Sequence, residues 1–205
     1  METFDFGDGP VPAHRHININ GTPGGWVANS AQVTPAVHIG ENAKVYGYAR
    51  VRGTAKIEDH AIVCGSALVT GSAVICDRAI VHDETTVHGE ALVAESARIG
   101  GKACIGGQAQ VRDSAWVTES AKAMNHASVL HQAIVGDSIS LLDQVTISGR
   151  PIIRGNAKFR GAYHGTRSGV FTGIYSEKGH LSIDPQSISP DDIATLLALD
   201  QTIGG

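Results

Sequence analysis

Six basic residues, Arg150, Arg154, Lys158, Arg160, Arg167 and Lys178, crowd the stretch from 150 to 178 against a single acid, Glu177. With Tyr163 and His164 among them, they could gather into a pocket for phosphate or carboxylate, because a guanidinium grips either group through two parallel N–H bonds. The residues expected at such a site are Arg154, Arg160, Tyr163, His164 and Arg167. The tyrosine ring would add an aromatic wall suited to a nucleotide or coenzyme A. The plainer alternative is a solvated basic rim. A smaller basic patch, Arg50, Arg52 and Lys56, is partly offset by Glu41, Glu58 and Asp59. Among the ten histidines, His126 and His131 form a close pair and are further candidates for ligand binding, for which solvated turn positions are the ordinary reading. No Ser-His-Asp spacing or phosphate-cradling glycine loop accompanies them. The sequence therefore assigns no catalytic group, no metal ligand and no cofactor.

Any such site needs a scaffold, and composition limits what that can be. The chain has 205 residues, 42% of them apolar and 18% charged, which fits one substantial domain. Aromatics are only 5% while glycine reaches 25 residues, so the core must rest on Ala, Val and Ile. A net charge of −4 supplies no overall basic field for a nucleic acid polymer. No run of eighteen apolar residues spans a membrane, and no basic segment followed by an apolar run opens the chain. Cys64, Cys76 and Cys104 are odd in number and lack a Cys-x-x-Cys pair, as expected for reduced thiols. A cytoplasmic location is the expectation.

The scaffold is written in a repeat. Every sixth residue from Val33 to Phe159 is apolar, 22 positions in succession. At this composition chance would produce that run roughly a few times in a billion. Two residues earlier a second ladder, Ala43 to Ala133, is alanine at every sixth position except Thr85. Six residues advance an α-helix by about 1.67 turns, which would smear the ladder around the cylinder. In a strand, positions i and i+2 share a face, so the alanine and the following Val or Ile point inward together. The two residues after them turn the chain. The fold expected is an all-β solenoid.

This pattern resembles left-handed β-helix hexapeptide-repeat proteins, with Ile39-Gly40-Glu41-Asn42-Ala43-Lys44 and Ile99-Gly100-Gly101-Lys102-Ala103-Cys104 matching their aliphatic–Gly–x–x–small–x motif in full. The resemblance implies a left-handed parallel β-helix of about seven coils, eighteen residues to the coil, and a homotrimer. Gly24-Gly25-Trp26-Val27 is similar to the opening of YdcK-like hexapeptide proteins, bacterial and phage chains. His126 and His131, followed by Val135-Gly136-Asp137, resemble the zinc segment of γ-class carbonic anhydrases, where imidazole-bound zinc activates water. Both histidines fall one residue out of that family's register. Asp113 occupies the place of its third ligand, so the set is incomplete unless another subunit supplies His82 or His88.

Residues 1–26 are expected as an N-terminal cap, 27–161 as the β-helix, and 162–205 as a C-terminal cap. His14 to Ile19 alternates as a strand, and Trp26 is placed to close the first coil. In the tail, a hairpin turning at Glu177-Lys178-Gly179 precedes a short helix over 190–200, with Ser189 as its N-cap. Ile62, Ile80, Trp116, Ile134 and Ile152 form an outward apolar stripe that asks for a cover, either another subunit or the C-terminal helix.

Four functions remain in order. The first is a non-enzymatic trimeric scaffold holding a partner or a small anion, such as a nucleotide signal or coenzyme A, between subunits. The second is a hexapeptide acyl- or acetyltransferase, against which the unbroken ladder argues, because no loop interrupts the coils. A carbonic-anhydrase-like metalloenzyme and a fibre segment follow.

Overall fold

Two-residue strands recur because each hexapeptide spends two residues extended and the rest turning. The computed structural model describes residues 2–161 and the backbone of 164–165 and 169–172. The strands β1 (Thr3–Asp5), β2 (Pro10–Ile17) and β3 (Pro23–Ala28) form an antiparallel opening. From β4 (Gln32–Val33) and β5 (His38–Ile39) onward the chain winds through three parallel sheets. Each strand pairs with the one eighteen residues on, as Ile62 with Ile80 and Ile80 with Arg98. The result is a parallel β-helix of about seven coils. We call the sheet continuing β3 the first face, that of β4 the second and that of β5 the third. The expected C-terminal hairpin and the helix over 190–200 lie outside the described residues.

Every inward aliphatic from Ile39 to Ile147 is fully buried, as are the alanines of the second ladder from Ala49 to Ala133. Thr85 interrupts that ladder and is equally buried, and its hydroxyl donates to the carbonyl of His82 at 2.9 Å. A polar group inside this core is tolerated because it has found an acceptor.

The corners have their own chemistry. From Gly47 to Gly161 the third residue of each hexapeptide takes positive φ, a conformation that glycine, Asn and Asp adopt most readily. Asp59, Asp77, Asp83, Asp113, Asp137 and Asp143 all occupy it. Their carboxylates reach up one coil. Asp83 accepts from Gly101 N at 2.8 Å, Asp113 from His131 N at 2.8 Å and Asp137 from Gly155 N at 2.8 Å. A turn amide that would otherwise point at water is thus held by the coil beneath it.

The N-terminal end is closed by two devices. On the first face β2 pairs with β3 and extends the sheet. Beneath the third face, side chains replace a strand: Asn18 Nδ2 donates to Ile39 O at 3.1 Å, and Ile39 N donates to Asn18 Oδ1 at 2.9 Å. His16 Nε2 lies 3.0 Å from Val37 O, and both His16 and Asn18 are buried. Gly24 and Gly25 are needed at this crossing, since a Cβ would run into the carbonyl of Ile39 at the first and of Ala43 at the second. Trp26 does not close the coil as the sequence led us to expect. It stands on the outer side of the first face, stacked on Phe4 at 4.7 Å and under Arg15 at 4.9 Å.

Burial lowers the pKa of His16 below its usual 6.5, opposed by its bond to Val37 and assisted by His14 and His38. The folded state therefore holds its proton less tightly than the unfolded chain. Stability of the cap is complete above the unfolded pKa and falls as pH drops below about 6.5. Amide exchange at Ile39 should accelerate on acidification into that range, and His16→Gln, a neutral donor, should flatten the dependence. An unchanged profile in His16→Gln would assign the pH effect to another group.

Candidate functional site

The first face carries the expected apolar stripe. Ile62, Ile80, Arg98, Trp116, Ile134 and Ile152 stack rung on rung, all partly exposed, with the Arg98 guanidinium 5.9 Å from the Trp116 ring. Its lower end is covered within the chain. Phe4 lies on Trp26, and Phe6 on Tyr46 at 4.8 Å. The outer side of β2 adds Val11, 40% exposed, and Ile17, 60% exposed, so apolar surface runs from the cap to the top coil.

Beside the stripe, at the corner between first and second faces, runs the column Tyr46, Cys64, His82, Gly100, Thr118, Gly136 and Arg154. Large and small residues alternate in its upper part. The His82 ring covers Gly100, with Cε1 2.6 Å from where a Cβ would stand. The Arg154 side chain reaches over Gly136, its Cγ 3.9 Å from the corresponding point, with Thr118 and Glu119 alongside. Arg154 Nε is buried and has no hydrogen-bond partner among the described residues. A buried N–H of a charged group left without an acceptor is costly, so this position calls for one.

His82 was anticipated only as a metal ligand that another subunit could supply, and its pairing within the chain was not foreseen. Its Nδ1 is 3.0 Å from Asp83 Oδ2, and that carboxylate is fixed in turn by Gly101 N. The only signal was a His before an Asp at a turn, with a glycine one coil above. An open cleft of about 680 Å³ adjoins this corner, lined among others by Ser66, Asp83, Glu84, Lys102 and Glu119. Its acids outnumber Lys102, which itself pairs with Glu84 at 3.5 Å, so the cleft repels an anion.

The other anticipated residues are dispersed. Arg154 and Arg160 stand at opposite ends of the strand Lys158–Phe159, at successive corners. Tyr163 and Arg167 fall outside the described residues, and of His164 only the backbone is described, in a strand on the third face. His126 and His131 also occupy successive corners, with the strand Ser128–Val129 between them. His131 has φ 62° and serves the corner ladder: its amide donates to Asp113, and its Nδ1 accepts from Gly149 N at 3.4 Å. The bond from the His131 amide is the main reason the Asp113 carboxyl lies below its usual pKa. Among the described residues no three His, Cys, Asp or Glu side chains come together as a metal-binding group.

Burial, the first cause in each case, raises the thiol pKa of Cys64, Cys76 and Cys104. Cys76 is pushed up to about 12, with Asp77 adding to the effect. None is activated as a nucleophile, since the thiolate is the reactive form. Among the described residues no helix is long and apolar enough to cross a membrane. Neither a family model, nor a curated protein, nor a solved structure matches the chain.

Proposed function

We propose that this protein is a homotrimeric binding scaffold that joins its subunits through the first face and holds a small anion beside Arg154. The observation that carries the reading is the buried Nε of Arg154, which has no acceptor among the described residues and stands beside the partly exposed apolar stripe. A guanidinium at such an edge offers charge-assisted donors in low dielectric, and an anion or a partner's acceptor would satisfy them. The six-residue period supports assigning the solenoid to the left-handed hexapeptide-repeat class, whose members bind ligands between subunits. A cytoplasmic nucleotide or coenzyme A thioester is the class of ligand proposed.

Native mass spectrometry should find chains in multiples of three. Ile80→Glu with Ile134→Glu should dissociate that unit, because burying two carboxylates in an apolar contact is unfavourable. A thermal-shift screen of nucleotides, cyclic nucleotides and coenzyme A thioesters should yield a hit weakened in Arg154→Ala. Loss of a charge-assisted bond costs about 1.5–3 kcal/mol, roughly 10- to 150-fold in affinity. A hit unaffected by that substitution puts the site elsewhere, and no hit at millimolar ligand rejects small-anion binding.

One observation favours an acyltransferase as the second reading. The His82 imidazole, oriented by Asp83, has the arrangement a general base requires, and the acidic cleft beside it suits a cationic acyl acceptor and not the anionic coenzyme. Thioester turnover abolished by His82→Ala would select this reading, and absence of turnover in the wild type would remove it.

A further inference from the structure

The lower end of the solenoid leaves two strand edges without a partner among the described residues. β1 ends the first sheet, and β4 ends the second. The third sheet's edge is already answered by Asn18 and His16. At β4 the interior is open. Val33 is only partly buried, unlike the inward aliphatics above it, and Thr34 Oγ1 is buried without a partner. A recess of about 510 Å³ lies there, lined by His14, Val33, Thr34 and Arg52 among others. An unpaired edge over an open core is a template for another strand.

The shape of the end and its charge name the strand. Sheet one continues two strands below the level of β4, through β2 to β1, so the end is a step with a projecting arm. The arm is acidic: Glu2, Asp5 and Asp8 precede any basic residue in the chain. Beside β4 stand exposed Arg50 and Arg52. We propose that two copies pair through their N-terminal ends about a twofold axis, with β1 of each laid along β4 of the other. An isologous contact uses the same patch on both partners, so one operation satisfies both edges and brings each acidic arm to the other's arginines. Asp5 already accepts from Gly7 N at 2.8 Å and Gly9 N at 3.0 Å, which leaves exposed Glu2 and Asp8 as the charges available to a partner.

This contact uses the lower edge of the first sheet and the edge of the second, not the outward stripe of Ile62 to Ile152. Combined with a threefold unit it gives a six-chain particle, and without one it gives a dimer. Native mass spectrometry of the full chain should therefore report an even number of chains. Arg50→Glu with Arg52→Glu should halve the particle mass, as should Glu2→Lys with Asp8→Lys, and all four together should restore it. Circular dichroism on each variant checks that the solenoid persists, and these residues are exposed and outside the core. Ile80→Glu with Ile134→Glu instead divides the mass by three, so failure of one contact is distinguishable from failure of the other. An odd chain count, a mass indifferent to either pair of reversals, or no recovery in the fourfold variant overturns the proposal.

Discussion

Val81→Asp is expected to unfold the solenoid. Val81 is fully enclosed midway up the stack, between Val63 below and Ile99 above. The core around it is built of aliphatic side chains, and the one buried hydroxyl nearby in sequence, Thr85, is already bonded to His82 O. An ion buried without a partner costs several kcal/mol, against a total stability of about 5–15 kcal/mol for a domain. Because each coil rests only on its neighbours, damage in the middle separates the stack into two shorter pieces, each with a newly open end. For a chain of this size the melting temperature should fall by about 10 °C or more, if a cooperative transition survives at all. Far-ultraviolet circular dichroism and a melting curve make the measurement. A melting temperature within a degree or two of wild type would mean that this ladder does not line the core.

The second large effect concerns the cap. Gly25→Ala places a methyl group against the Ala43 carbonyl, where backbone stands on both sides and no rotamer change gives relief. β3 must shift outward, taking with it the bonds from Asn18 to Ile39 and from Trp26 N to Ala43 O. Overpacking of this kind costs about 1–3 kcal/mol. The loss should be local. Hydrogen exchange should quicken over 14–28 and 37–45 while the coils above residue 60 keep their protection. Wild-type protection across the cap in Gly25→Ala would show that β3 has room that the geometry denies it.

How these two positions announced themselves differs, and the difference is physical. Val81 belongs to a pattern repeated at every sixth residue, so the sequence alone told us that it points inward and that the fold is a parallel solenoid. Gly24-Gly25 was visible only as a motif, because its reason, contact with carbonyls of the first coil, lies in another part of the chain. The corner ladder was likewise illegible. Asp113 and His131 look unrelated until the coil brings them together. The pair His126 and His131 was rightly read as turn residues, but their relative placement was not legible. Five residues apart, they seem adjacent, yet each hexapeptide carries the chain around one corner, so they look out from different edges. Arg154 was named for its charge and correctly placed as outward, but the burial of its Nε arises from neighbours that only the coil brings to it. The pairing of His82 escaped notice because its partner Asp83 and its neighbour Gly100 read as ordinary turn residues.

The coil also contains two rulers of different length. Inward positions recur every six residues, whereas vertical neighbours such as Ile62 and Ile80 are eighteen apart. Losing eighteen residues shortens the prism and leaves each side wall as it was. A loss of six keeps every buried position apolar, so the shortened chain still folds. It also rotates all that follows by about 120°, a third of a circuit per hexapeptide. The stripe would then break, with its upper isoleucines on one wall and its lower ones on another. Chains of this design can therefore drift in length by whole storeys without losing their surfaces. A single hexapeptide gained or lost rewrites every surface above it while the interior registers nothing.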